Sequence, residues 1–156
     1  MRGAGWLGLG LVMLGACSRE GASMDTAALQ EFAASYTAAW CSQDAASVAS
    51  FFAEDGSLTI NGGAPAVGRA SITASAQGFM SAFPDLVVRL DSLRPHGQRI
   101  EYHWTLTGTN TGPGGTGRPV RISGYEEWTM GADGLIAASL GHFDEAEYRR
   151  QLNQAS

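Results

Sequence analysis

Residues 99–130, RIEYHWTLTGTNTGPGGTGRPVRISGYEEWTM, constrain the fold more tightly than any other stretch. Ile100, Tyr102, Trp104 and Leu106 alternate with Glu101, His103, Thr105 and Thr107. This period of two marks a strand with one buried face. Further on, Val120, Ile122, Gly124, Glu126, Trp128 and Met130 share one parity, and Arg121, Ser123, Tyr125, Glu127 and Thr129 the other. Between the two runs, four glycines and two prolines in residues 111–119 cannot extend a ladder and predict a loop. An antiparallel pair over 99–109 and 119–130 follows. Glu126 breaks the pattern, because it sits in the apolar register of its strand. A carboxylate there is costly unless it is paired, hydrogen-bonded or wetted by a pocket, and Gly124 beside it predicts open room above the sheet.

The chain's 156 residues suffice for one domain with a real core. Hydrophobic residues at 44% against 16% charged exclude a disordered chain. All ten basic residues are arginine, and only Arg149 and Arg150 adjoin, so no basic patch for nucleic acid exists. The lack of lysine removes Schiff-base chemistry and a Walker-type phosphate loop. His96, His103 and His142 fall on separate elements without metal-ligand spacing, so no metal site is expected. No Gly-x-Ser-x-Gly elbow is present.

Met1-Arg2 precedes the apolar run GAGWLGLGLVMLGA, which has the length and flanks of a secretory signal core. The run closes on Leu14-Gly15-Ala16-Cys17, which resembles the bacterial lipobox. That resemblance implies cleavage before Cys17, lipidation of Cys17 and a membrane-anchored, exported lipoprotein. Ser18 after Cys17 fits the outer-membrane sorting pattern, where the host has such a membrane. Residues 1–16 are then the signal peptide, 17–25 the lipidated cysteine and a polar tether, and 26–154 the folded domain.

In that domain Leu29, Phe32, Tyr36 and Trp40 recur at helical spacing, and Cys41 ends the helix as an unpaired, buried small residue. Asp44 caps a second helix carrying Val48, Phe51 and Phe52, which ends over Ala53–Gly56. Ser57–Ile60 reads as a short strand and residues 61–65 as a loop. A third helix follows Gly68, with Ile72, Ala76, Phe79, Met80 and Phe83 on one stripe, and Pro84 stops it. Leu86–Leu93 is a strand and Arg94–Gly97 a turn. After the long pair, Asp133-Gly134 marks a hairpin, Leu135–His142 a last strand, and Asp144 the cap of a final helix over Glu145–Leu152.

Three helices and then mostly strands make an α+β domain with helices on one face of a bent, mainly antiparallel sheet. Several segments in this order resemble the NTF2-like superfamily, in its SnoaL-like polyketide cyclase (ester cyclase) branch. They are Trp40–Asp44, Phe51–Asp55, Phe83-Pro-Asp-Leu86, Trp104–Gly112, Gly117–Val120, Ser123-Gly124, Asp133-Gly134 and Arg149–Leu152. The resemblance spans residues 26–153. It implies a cone-shaped barrel, often dimeric, with a small-molecule pocket between helices and sheet and no cofactor. It also implies acid/base closure of a ring by an intramolecular aldol step. The last strand of many relatives reads roughly His-Trp-Asp-x-x-Asp, the first Asp being the acid/base. Those first three positions here are Ser139, Leu140 and Gly141, and the final Asp is Asp144. Asn110 stands where the loop after Trp104 often has His. The base position of the related ketosteroid isomerases falls near Ile60.

Placing the apolar register toward the helices puts Tyr36, Trp40, Phe51, Ile60, Phe79, Tyr102 and Trp104 around the cavity. Glu126 and His142 are then the candidate proton-transfer groups and Asn110 a donor to a ligand carbonyl, with Asn110, His142 and Tyr36 as prospective partners of Glu126. Two functions fit this pattern, beside a third reading in which the aromatics fill a core and the domain is a plain scaffold. One is a cofactor-free cyclase or isomerase acting on a small apolar molecule. The other is a lipoprotein that binds such a molecule, or a partner, without turnover.

Overall fold

The computed structural model describes residues 25–153. The signal segment, Cys17 and most of the tether lie outside them. Helix α1 spans Thr26–Cys41 and buries Leu29, Ala33, Tyr36, Ala39 and Trp40. Helix α2, Ala45–Ala49, is capped by the Asp44 carboxylate, which accepts from the amides of Ala46 and Ser47. Strand β1 follows over Phe52–Ile60, and Ala66–Val67 forms the short β2. Helix α3, Arg69–Ala82, buries Ile72, Ala76 and Met80. Strands β3 (Val87–His96), β4 (Arg99–Thr109), β5 (Pro119–Met130) and β6 (Ile136–Phe143) complete the sheet, and α4 (Glu145–Asn153) ends the described chain.

The fold is α+β, with six strands ordered β2-β1-β6-β5-β4-β3. All pairings are antiparallel except β1 with β6. The expected pairing of 99–109 with 119–130 is present, Tyr102 opposite Glu126 and Trp104 opposite Gly124. The sheet does not close into the expected barrel; β2 and β3 are its free edges. Register shifts in β3, β5–β6 and β1–β6 mark bulges that bend the strands locally. The core lies between the inner sheet face and α1–α3, with Tyr36, Phe52, Tyr102 and Trp128 fully buried.

Three local expectations are corrected. The second helix stops at Ala49, and Phe51 and Phe52 are not helical. Phe52 opens β1, opposite Ile136, and the Ile136 amide donates to the Phe51 carbonyl at 2.9 Å. Burial of Phe52 in a strand opposite Ile136 outweighs continuation of a five-residue helix, which is too short to hold its own boundary. The strand before β4 runs on to His96, through the expected turn. Pro95 is tolerated because β3 is an edge strand, where a missing N–H breaks no inner ladder. The turn falls instead at Gly97, whose φ of 64° favours glycine. Cys41 is exposed rather than buried, though its thiol still donates to the Val88 carbonyl at 3.2 Å.

Candidate functional site

The alternation of β4, β5 and β6 sends one row of side chains toward the helices. Tyr102, Glu126 and Gly141 stand side by side across three strands, and Ile60 of β1 adjoins Gly141. The next row holds Trp104, Gly124 and Phe143. These rows floor a cleft of about 60 Å³, several times the ~10–15 Å³ that one water needs. Trp40 and Phe79 wall it from the helices, and Leu58, Val88, Leu106 and Ile122 complete the apolar surface. Glu126 is the one carboxylate of this lining.

The expected lining holds for Trp40, Ile60, Phe79, Tyr102 and Trp104. Tyr36 and Phe51 do not reach the cleft. Their rings pack together at 5.6 Å, and Tyr36 is fully buried with its hydroxyl on Glu126. The room expected above Gly124 is occupied: a Cβ there would meet the Trp104 ring at 2.6 Å. The open position is Gly141, where a Cβ would sit 3.9 Å from the Glu126 Cγ.

Glu126 is 6% exposed and held by three donors. Its Oε2 accepts from the Ser139 hydroxyl at 2.7 Å, the Trp128 indole at 2.9 Å and the Tyr36 hydroxyl at 3.1 Å. Oε1 accepts only a longer contact of 3.3 Å, from Tyr36. The two oxygens are therefore unequal: Oε2 anchors the group, while Oε1 retains free lone pairs. Desolvation raises the Glu126 pKa above the ordinary carboxylate value, and the bonds from Trp128, Ser139 and Tyr36 pull it back in part. Aromatic rings fix the support. Trp128 stacks on Tyr102 at 4.7 Å and meets Tyr36 edge-on at 5.1 Å. The Tyr102 hydroxyl shares a 2.7 Å hydrogen bond with Thr37, outside the Glu126 cluster.

The other two candidates lie elsewhere. Asn110 staples the β4–β5 loop: its Oδ1 accepts from the Thr116 amide at 2.7 Å, and its amide group donates to the Ala82 carbonyl at 3.2 Å. His142 takes the opposite parity from Gly141 and faces away from the cleft, bonded to Glu127 at 3.0 Å and stacked on Tyr125 at 4.7 Å. Of the partners expected for Glu126, only Tyr36 is one. Trp128 and Ser139 were missed. Trp128 was legible as the next inward residue of the same strand. Ser139 was hidden by the register shift in β6, which breaks simple alternation between Ile136 and Ser139. Among the described residues no group of His, Cys, Asp and Glu side chains could hold a metal ion.

The arrangement is a lone carboxylate, raised in pKa and half-committed to its support, at the wall of an apolar cleft. The sequence profile of the SnoaL-like domain family matches residues 33–139. The chain belongs to this family. Solved structures agree in fold. A hypothetical protein of Catenulispora acidiphila with a ketosteroid isomerase-like fold, in complex with trimethylamine, superposes with a TM-score of 0.71 at 16% identity, over 80% of this chain and 94% of its own. A Jannaschia protein assigned as a SnoaL-like polyketide cyclase gives 0.66 at 14%, over 81% and 94%. The epoxide hydrolase/cyclase-like enzyme SalBIII, of pyran ring formation in the polyether salinomycin, gives 0.68 at 17%, over 80% and 97%. No curated protein matches the sequence. In this SnoaL-like domain the position that the family resemblance gives to the acid/base aspartate is Gly141, directly opposite Glu126.

Proposed function

We propose that this SnoaL-like domain binds a small apolar carbonyl compound and exchanges a proton with it through Glu126, as a cofactor-free cyclase or isomerase. One observation carries the reading: the cleft's single carboxylate has a raised pKa and an oxygen largely free of protein donors. In the forward step Oε1 takes a proton from the carbon beside the carbonyl, and the C–H electron pair moves into the carbonyl to give an enolate. The enolate carbon then bonds to a second carbonyl carbon of the same molecule, whose oxygen receives the proton from Glu126. Isomerisation is the variant in which the proton returns to another carbon. A pKa nearer neutrality suits both directions of transfer. The carboxylate comes from β5, where the family resemblance places it on β6, and Gly141 opposite it adds no side chain to the cleft.

The test is deuterium uptake at the α-carbons of cyclopentanone in D₂O, followed by NMR. The protein should accelerate uptake over buffer, and Glu126→Gln should lose about 100-fold or more of that acceleration. Equal rates for the two proteins would refute proton transfer by Glu126. The three donors on Glu126 favour a second reading, a binding protein in which the carboxylate is structural. That reading expects ketone binding without exchange.

We further propose that the domain acts outside the cytoplasm, anchored through lipidated Cys17, on the strength of the apolar run and the Leu14–Cys17 box. Acyl chains on one residue hold a protein stably at a membrane. Metabolic labelling with a fatty-acid probe should mark the protein and leave Cys17→Ser unlabelled; label persisting on the variant would exclude Cys17 as the anchor.

A further inference from the structure

Among the described residues, the one buried side-chain nitrogen or oxygen without a hydrogen-bond partner is the indole Nε1 of Trp104. Native proteins seldom leave such donors unpaired. The indole N–H has no accepting mode, so only an acceptor can complete it. No protein acceptor bonds it. Trp104 packs edge-on against Phe143 at 6.3 Å, and its ring lies over Gly124, which has no side chain. The contrast with Trp128 is direct: that indole, on the same sheet face, donates to Glu126 at 2.9 Å. Trp104 is also part of the cleft lining, and its ring is not fully enclosed.

We propose that Trp104 is the ligand-binding donor of this cleft, and that its partner is an acceptor oxygen, typically a carbonyl, on an otherwise apolar molecule. The proposal rests on the cleft being the ligand site and names the polar group its ligand must carry. Trp104 stands diagonally across the strands from Glu126, the relation in which side chains lie roughly 7–8 Å apart at their bases and long ones still meet a common object. A ketone oxygen on the indole N–H therefore directs its neighbouring carbons toward Glu126 Oε1. Because the indole N–H is itself enclosed, binding requires a small turn of the ring toward the ligand. Trp104 thus takes the role that sequence reasoning assigned to Asn110. Glycine at 124 has a packing reason of its own, because a Cβ there would collide with the His142 backbone carbonyl and with the Trp104 ring.

The experiment follows the indole N–H resonances of ¹⁵N-tryptophan-labelled protein during titration with cyclopentanone and, separately, cyclopentane. The Trp104→Phe variant identifies the Trp104 signal by its loss. The ketone should move the Trp104 N–H proton downfield, as hydrogen bonding does, and cyclopentane should not. Trp104→Phe should weaken ketone binding about three- to tenfold, the range of a single neutral hydrogen bond, and leave cyclopentane binding within twofold. Ketone binding with a stationary Trp104 signal would overturn the proposal, as would equal weakening of both ligands, which packing alone would produce. Failure of the ketone to bind would overturn it together with the cleft as a ketone site. Should the variant not fold, the titration of the wild-type signal still decides. A moved Trp104 signal without deuterium exchange would leave this inference standing and remove only the catalytic reading.

Discussion

Glu126 links the protonation of one residue to the stability of the whole chain. Its pKa is raised in the folded state by desolvation, with Trp128, Ser139 and Tyr36 opposing. Between the unfolded and folded values the native protein binds more protons at this site than the unfolded chain does. Stability contributed here is therefore fully present at low pH and falls as pH rises through that window. Asp85, Asp91, Glu101 and Glu147 are shifted the other way, so their contributions grow as pH rises from acid values. The difference between wild type and Glu126→Gln isolates the buried group. Urea unfolding measured from pH 4 to 8 should show the variant gaining on wild type as pH rises. A difference independent of pH would mean that Glu126 has an ordinary pKa. This residue was legible in the sequence because it interrupts an apolar register, a conflict that burial energetics cannot ignore. His142 misled because β6 changes phase before Ser139: counting inward positions along that strand fails where the strand itself shifts.

At the scale of elements, the β4–β5 pair and β6 were readable, and the boundary between α2 and β1 was not. Eleven and twelve residues of alternation in β4 and β5 leave little freedom in register, because a one-residue slip would expose every inward side chain. The five-residue α2 offers no comparable pattern, and its boundary with β1 is set by what Phe52 meets across the sheet. That partner, Ile136, lies far along the chain. The β4–β5 loop shows a similar limit. Its glycines announce a loop, but the reason for Gly112 is tertiary: a Cβ there would stand 1.8 Å from the Ser81 carbonyl oxygen, and the Gly112 amide donates to Ala82 at 3.2 Å. Asn110 closes the same junction between the loop and the end of α3. A polar residue near the inward register can thus serve a loop as readily as a pocket, and nothing in its own neighbourhood of sequence separates the two. The orphan indole of Trp104 is the opposite case. It reads as an ordinary core aromatic until its surroundings are known.

At the scale of the molecule, the domain keeps a hollow where it could have had a filled core. Gly141 is the clearest sign. It lies inside a strand, where glycine costs roughly 0.5–1 kcal/mol relative to alanine. No steric demand requires it: an added Cβ would find the Thr59 carbonyl at 3.5 Å and the Glu126 Cγ and Ile60 Cγ1 at 3.9 Å, all ordinary contacts. The adjacent volume belongs to the cleft. Gly141→Ala should therefore stabilise the protein, raising Tm by about 1–4 °C for a domain of this size. The same methyl group would occupy the space beside the carboxylate and weaken cyclopentanone binding and exchange. A gain in stability coupled to a loss of function is the pattern of a site held open against packing. Thermal unfolding and ketone titration of the one variant measure both sides of this exchange. A variant that is more stable and binds as before would show that the space at Gly141 is not used by the ligand. A less stable one would show that the strand needs glycine there for a reason of its own.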